Sequence, residues 1–208
     1  MTWLLSTDEH DVVVELMNIG IGRAASALSQ MVQDEVLLSV PDLQFLNPTE
    51  ANDSFCSYLP NLLAGVMQDF SGFMKGRAAL LFPEDRSLEL VRAILGEDMS
   101  ADEISEFEQE TLAELGNILL NNCLATLANL LHQQIQTDLP QVFNVDTAHL
   151  LSRLSPHEAQ DSSAFIMLVQ IEFSLRKNDL QGYLAFLIDV ESADVFINAL
   201  RNYLVECE

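Results

Sequence analysis

Two stretches of the chain decide the fold: ELMNIGIGRAASAL at residues 15–28 and ELGNILLNNCLATL at residues 114–127. They lie 99 residues apart and share Glu, Leu, Asn, Ile and the final Leu at matching positions. The same spacing relates Ser6 to Ser105, Glu9 to Glu108, and Pro41 to Pro140. An internal repeat of this kind determines the architecture. We therefore predict one domain over residues 1–208, built from two repeats at about 6–98 and 105–205.

Each repeat is predicted to open with a long helix. Ser6 is followed three residues later by Glu9, a capping-box pattern in which side-chain oxygens accept hydrogen bonds from free backbone amides at a helix start. Ser105 begins the same pattern in the second repeat. The helices should run from about Thr7 to Gln33 and from about Glu106 to Gln134.

Both helices have an apolar side and a polar side. At about 100° per residue, one face of each helix is apolar and is expected to pack on a core. Its leucines are Leu16 and Leu28 in the first helix, and Leu112, Leu115, Leu119, Leu127 and Leu130 in the second. The opposite face carries an acidic residue, a Glu four positions later and an Asn three positions after that. These outward residues are Asp11, Glu15 and Asn18 in the first helix, and Glu110, Glu114 and Asn117 in the second.

The remainder of each repeat reads as strands and a closing helix. Extended runs are expected at 41–46, 62–73 and 76–83 in the first repeat, and at 140–145, 163–175 and 180–190 in the second. Helices should follow at 87–96 and 192–204, with loops at NPTEANDS (47–54) and at LSRLSPHEAQDSS, where a seven-residue insertion lengthens the second repeat. The fold class is thus α+β, a pseudo-two-fold tandem repeat of helix-strand-strand-strand-helix units sharing a sheet.

Composition excludes several function classes. With 32 acidic and 9 basic residues the net charge is −23, so the chain lacks an attractive surface for nucleic acid. The 3 cysteines are too few for a disulfide framework, and the 4 histidines are too scattered for a zinc site. No basic leader and no long apolar run is evident, so we expect a cytoplasmic protein without membrane insertion.

The repeated pattern resembles the active-site signature of the CheC family of chemotaxis phosphatases, which also includes CheX and FliY. It occurs as Asp11, Glu15, Asn18 and Pro41, and again as Glu110, Glu114, Asn117 and Pro140. GRAALLFPEDRSLELVRAILG (76–96) is similar to the strand and helix that follow the first site in the family. Two retained sites favour the CheC branch.

The resemblance implies a protein aspartyl-phosphate phosphatase acting on a CheY-like receiver domain. Asn18 and Asn117 would orient the attacking water, Glu15 and Glu114 would pair with the receiver's lysine, and Asp11 and Glu110 would be auxiliary. No cofactor is expected on this chain, since the Mg²⁺ belongs to the phosphorylated receiver. A CheD-type deamidase is a second implied partner.

Two other functions stay open at this stage. The chain would be a non-catalytic binding module if it held a phosphorylated receiver or a CheD-type deamidase without turnover, or a structural element of the flagellar switch. Self-contained hydrolases are excluded, because the sequence has no GxSxG, P-loop or HExxH motif.

Overall fold

The two long helices predicted from the repeat are present, and one antiparallel sheet lies beneath them. The computed structural model describes residues 5–95, 101–155, 165–175 and 178–207. In chain order its elements are α1 (Thr7–Val32), β1 (Val36–Leu46), α2 (Pro48–Tyr58), β2 (Leu62–Gly72), β3 (Gly76–Pro83), α3 (Glu84–Leu95), α4 (Ala101–Leu130), β4 (Ile135–Thr137), β5 (Gln141–Asp146), a 3-10 turn (Thr147–His149), α5 (Leu150–Leu154), β6 (Phe165–Leu175), β7 (Asn178–Ile188) and α6 (Val190–Cys207).

The sheet mixes strands from the two halves. Its order is β1-β6-β7-β3-β2-β4, with β5 also paired to β2. The pairs β1 with β6, β3 with β7, and β2 with β4 and β5 each join strands from different halves. The α+β class with a pseudo-two-fold repeat is thereby confirmed. The assignment of residues 1–208 to one domain stays a prediction, and the shared sheet supports it.

The central strands are buried on both faces. In β3, Ala78, Leu80 and Phe82 belong to the core beneath the long helices, whereas Ala79 and Leu81 belong to a second core with α2 and α5. Successive side chains of a strand point to opposite faces, so a strand between two layers is apolar throughout. The long helices α1 and α4 therefore cover one face of the sheet, and their outer sides remain available.

The repeat extends to the ends of the long helices. Gln33 follows α1 with φ 52°, and His132, which lies 99 positions later, follows α4 with φ 53°. Both residues adopt the left-handed conformation that commonly ends a helix. The second helix therefore stops at Leu130, short of the predicted end at Gln134.

The predicted capping box of the second helix is wrong. Helix α4 begins at Ala101, so Ser105 lies inside the helix rather than at its start. Glu108 instead accepts a hydrogen bond of 2.6 Å from the Ser87 hydroxyl of α3. The run from 101 to 105 contains no Gly or Pro to stop the helix, which explains why it starts earlier than the capping pattern indicated.

The predicted loop at NPTEANDS is also wrong, because this segment forms most of α2. The Asn47 side chain accepts hydrogen bonds from the backbone amides of Thr49 and Glu50, and the Glu50 carboxylate accepts one from the Asn47 amide. Pro48 occupies the first turn of the helix. The second half has its counterpart in α5. The first repeat thus contains a short helix after β1, and the second contains one after β5, which the predicted unit lacked. The predicted loop at 151–163 is wrong over 151–154, which lie in α5, and its residues 156–163 lie outside the described residues.

The first strand begins earlier than predicted. It starts at Val36, and Pro41 lies within it where the register against β6 shifts between Ser39 and Asp42. Proline lacks an amide donor, so within sheets it is found at edges and bulges. Pro41 fits this rule, because β1 is at the edge of the sheet. In the second half Pro140 comes directly before β5, as predicted.

A buried carboxylate fixes the start of α1. Glu9 is in the capping box with Ser6 and accepts a hydrogen bond of 2.6 Å from Arg201 Nε of α6. Burial alone would raise the pKa of Glu9, but the hydrogen bonds from Ser6 and Arg201 and the charge of Arg201 outweigh it, so the pKa lies below its ordinary value. The ionised form of Glu9 therefore stabilises the fold.

Replacing Glu9 with glutamine should lower the free energy of unfolding at neutral pH by about 1–2 kcal/mol, because a charge-assisted hydrogen bond is lost. A lowered folded-state pKa gives stability that is present at neutral pH and is lost as pH falls through the acidic range. The difference between wild type and Glu9→Gln should accordingly shrink on acidification. Urea unfolding at neutral and acidic pH measures it, with exposed Glu35→Gln as the control. A difference that is independent of pH would contradict the assignment.

Helix α1 also has the length and composition of a membrane span. Its most apolar window has a mean hydropathy of 1.3, and 39% of that window is buried. Among the described residues it is the one helix long and apolar enough to cross a membrane, although no such span was predicted from the sequence. A core helix passes the same test, and here Val13, Leu16, Met17 and Ile21 pack in the core beneath it.

Candidate functional site

The first candidate site lies on the outer side of α1. Asp11, Glu15 and Asn18 are exposed, whereas the neighbouring Leu16 and Met17 are buried. Residues three and four positions apart lie on the same side of a helix. The structure therefore places these three polar side chains in one line on the surface, as the sequence predicted.

The second candidate site lies on α4 and is less open. Glu110 and Glu114 are exposed, but Asn117 is partly buried. The helix is fixed to the sheet by Gly116, where a Cβ would lie only 2.5 Å from Val66 Cγ1 of β2. This close approach sets how far the side chain of the next residue, Asn117, lies from the sheet.

The two helices cross closely, and they run in opposite directions. A Cβ on Gly20 of α1 would lie 3.0 Å from the Cys123 Cα of α4. Further along α1, Met31 borders the same groove as Phe107 and Glu110, so the contact moves toward the start of α4 as α1 advances. Gly20 thus packs against α4 rather than against the sheet. The sites lie on two antiparallel helices in contact.

The asparagines of the two sites have different neighbours. Asn121 Nδ2 donates a hydrogen bond of 2.7 Å to Asn117 Oδ1. The matching position in α1 is Gly22, which has no side chain to offer Asn18. A Cβ built on Gly22 would meet none of the described atoms within 4 Å. The repeat therefore preserves the Glu and Asn residues but not their surroundings.

An open groove of about 720 Å³ borders the second site. It lies between α3, α4 and the end of α1, and three of its apolar residues, Met31, Leu95 and Phe107, are 37–41% exposed. Glu110, Glu114 and Pro140 also line it. Large exposed apolar side chains beside charged ones are typical of a surface that meets another protein.

Metal ligands and reactive thiols are not grouped at either site. No set of three or more His, Cys, Asp and Glu side chains within the described part of the chain could hold a metal ion. Cys123 lies fully buried near the helix crossing, and burial raises the pKa of its thiol to about 12. It is therefore protonated and belongs to the core, and the chemistry at this surface would rest on Glu and Asn side chains.

Comparison with known proteins finds two family models that match the parts of the chain with the candidate residues. A model described as the CheC-like family matches residues 9–44, and a model described as chemotaxis phosphatase CheX matches residues 64–158. The first match includes Glu15 and Asn18, and the second includes Glu114 and Asn117. Both parts of the chain that carry the candidate residues are therefore similar to this group of chemotaxis proteins.

One curated protein and two solved structures are similar to this chain along nearly its whole length. The CheY-P phosphatase CheC of Bacillus subtilis (strain 168) is 25% identical over 204 residues, which cover 94% of this chain and 95% of that protein. The crystal structure of Thermotoga maritima FliY aligns with a TM-score of 0.74 at 17% identity, covering 96% of this chain and 99% of that one. FliM in a complex with SpeE from H. pylori aligns with a TM-score of 0.65 at 11% identity, over 96% and 98%. These two structural similarities concern the fold alone.

Two contacts at the candidate sites were not predicted from the sequence. The Asn121 to Asn117 hydrogen bond follows the i to i+4 spacing of a helix, so its signal was present in the sequence. The contact of Gly116 with β2 joins residues far apart in the chain, so no local sequence pattern predicts it. The positions of the six predicted site residues agree with the prediction of an outward face, and their roles stay a prediction.

Proposed function

We propose that this chain is a phosphatase that hydrolyses the aspartyl phosphate of a CheY-like receiver domain. The observation that carries the proposal is the duplicated Glu and Asn pair on the exposed side of α1 and α4. Its similarity to the CheY-P phosphatase CheC over nearly the whole chain supports the same reading.

The proposed reaction needs a water molecule in line with the bond that breaks. The water oxygen attacks phosphorus, the bond between phosphorus and the receiver's aspartyl oxygen breaks, and inorganic phosphate and a free carboxylate result. The receiver supplies the phosphate, the Mg²⁺ and a lysine, so this chain need only position the water. Asn18 and Asn117 are the groups proposed for that role.

A carboxamide is suited to this task. It hydrogen-bonds to water through its oxygen and to phosphoryl oxygens through its nitrogen, and it carries no net charge. A carboxylate at the same place would repel the phosphoryl group. Asn18 is exposed on the surface of α1, so it can enter a partner's active site without any movement of the core.

The glutamates are proposed to fix the position of the partner. Glu15 and Glu114 lie one helical turn before the asparagines and are exposed. Each would pair with the lysine of a docked receiver, and burial of this pair in the interface would strengthen it relative to a pair in water. Asp11 and Glu110, one turn further back, would add to the attraction as auxiliary groups.

Replacing Glu15 and Glu114 together with glutamine should raise the KM for the phosphorylated receiver by about tenfold, with a smaller change in kcat. Charge is removed while size is kept, so the loss should also weaken the dependence of KM on salt. Steady-state phosphate release at low and high salt measures both. Asp194→Asn, which removes an exposed charge from α6, is the matched control. A fall in kcat alone would assign the glutamates to the chemical step instead.

The proposed activity itself is tested with a purified receiver. The receiver is loaded from a small phosphate donor, the donor is removed, and decay is followed with and without this chain. Acceleration by catalytic amounts of the chain is the expected result. A complex that forms without acceleration would identify a binding module, and unchanged decay without a complex would exclude both functions for that receiver.

The cellular setting follows from the same proposal. We propose that this chain acts in the cytoplasm, as expected from its sequence. A CheD-type deamidase is retained as a second proposed partner, and co-purification with such a protein would test it. Mg²⁺ is assigned to the receiver, and the chain itself is proposed to bind no cofactor.

A further inference from the structure

The two candidate sites differ at one pair of equivalent positions. Gly22 follows Asn18 by one helical turn, and Asn121 follows Asn117 by one turn. A Cβ at Gly22 would enter open space, clear of the described atoms by more than 4 Å, while the Asn121 side chain extends to Asn117. The space beside the asparagine is thus open in the first site and filled by the Asn121 side chain in the second.

The Asn121 contact engages the atom that the proposed reaction uses. Asn121 Nδ2 lies 2.7 Å from Asn117 Oδ1, a short and well-formed hydrogen bond. The attacking water would donate to this same oxygen in order to turn its lone pair toward phosphorus. To reach into a partner, the Asn117 carboxamide must give up its bond or share its oxygen with both donors.

The asparagine side chains of the second site are also less exposed to solvent than the asparagine of the first. Glu15 and Asn18 are both exposed, whereas Asn117 and Asn121 are partly buried. An asparagine that lies against its own helix presents less of itself to a docked protein. Asn121 also adds a side chain beside the point where the partner's active site would close over Asn117.

We propose that Asn121 restrains the second site, so that receiver dephosphorylation takes place chiefly at Glu15 and Asn18. The inference rests on the proposed phosphatase function and deepens it. Asn121 acts through Asn117 and is a positioning residue. Releasing it should raise the activity of the second site by about two- to tenfold, the factor that corresponds to one hydrogen bond of ordinary net strength.

The test isolates each site and then alters this one position. Asn18→Ala leaves only the second site, and Asn117→Ala leaves only the first. We expect Asn117→Ala to keep most of the activity and Asn18→Ala to lose most of it. Adding Asn121→Ala to Asn18→Ala removes the donor without weakening the helix, and Asn121→Gly also clears the space. Both double variants should recover activity.

A reciprocal change and a control complete the design. Gly22→Asn copies the second site into the first, and in the Asn117→Ala background it should lower the activity. Asn122→Ala removes a neighbouring side chain that bonds to the Ile118 carbonyl at 2.8 Å rather than to Asn117, and it should have no effect. Circular dichroism and kcat measured at saturating receiver separate misfolding and weak docking from a change in the chemical step.

The outcomes separate this inference from the function on which it rests. If wild type does not accelerate receiver decay, the proposed phosphatase fails. If wild type is active but both isolated sites are equally active, the restraint is overturned. Unchanged or lower activity on adding Asn121→Ala to Asn18→Ala would likewise overturn it, and a loss would show that the bond aligns Asn117 instead.

Discussion

Replacing both Asn18 and Asn117 with alanine should reduce the acceleration of receiver dephosphorylation by about a hundredfold or more. The chain contributes little chemistry beyond holding a water molecule in line, so removing both carboxamides removes the proposed contribution at its source. Both residues lie on the outer sides of α1 and α4, away from the core, and their loss should leave the fold intact. Decay of the phosphorylated receiver, measured with excess receiver, is the readout.

The internal repeat offers a matched control for this experiment. Gln30 and Asn129 occupy equivalent positions on the same two helices, and both are exposed. Alanine at both should leave the rate unchanged. Retained binding of the Asn18→Ala and Asn117→Ala double variant would show that docking survives while turnover is lost. If that variant still accelerated decay, the water-positioning role of the asparagines would be wrong, even in a chain that proved to be a phosphatase.

The sequence predicted the site helices because their signals are local and occur twice. The Ser6 capping box, the apolar stripe and the outward Glu15 and Asn18 all lie within one amphipathic segment, and the same arrangement returns after 99 residues. Strands β2, β3, β6 and β7 are rich in aliphatic and aromatic residues, and a glycine or a polar turn lies beside each of them. Such patterns specify elements and their faces with little help from the rest of the chain.

Where local signals competed, the prediction went wrong. NPTEANDS is rich in loop-forming residues, but it also holds Asn47, Pro48 and Glu50 at the positions of a capping box, and the helix prevailed. At Ser105 the opposite occurred, because a capping pattern was present but the helix ran through it. A capping pattern therefore begins a helix at Asn47 but not at Ser105, where the preceding residues are already helical.

Contacts between distant residues were beyond local patterns altogether. Arg201 reaches Glu9 across 192 positions, and Gly116 of α4 lies on Val66 of β2. Such pairs depend on how α6 packs beside α1 and on where β2 lies in the sheet, which the repeat alone does not determine. Yet both Glu9 and its counterpart Glu108 join a long helix to a closing helix, through Arg201 and Ser87 respectively. The repeat had preserved the carboxylate and changed its partner.

The close crossing of α1 and α4 yields the second large effect that we expect. Replacing Gly20 with leucine should lower the free energy of unfolding by about 2–3 kcal/mol, because the side chain has no room at the crossing. A Cβ alone would lie 3.0 Å from the Cys123 Cα and 3.4 Å from the Asn122 carbonyl oxygen, and both atoms belong to backbone that cannot rotate away. The helices must separate, and the two sites must move relative to each other. Urea unfolding measures the loss of stability.

Gly22 provides the opposite result within the same helix. Alanine there meets open space among the described atoms and should raise the free energy of unfolding by about 0.5–1 kcal/mol, since glycine is a poor helix former. Both variants replace a glycine by a better helix former, so a difference in sign isolates the effect of the crossing. Equal stabilisation by Gly20→Leu and Gly22→Ala would mean that α1 and α4 do not depend on a glycine to approach each other. If Gly20→Leu folds but changes the rate of receiver decay, the spacing of the two helices also contributes to the geometry of the site.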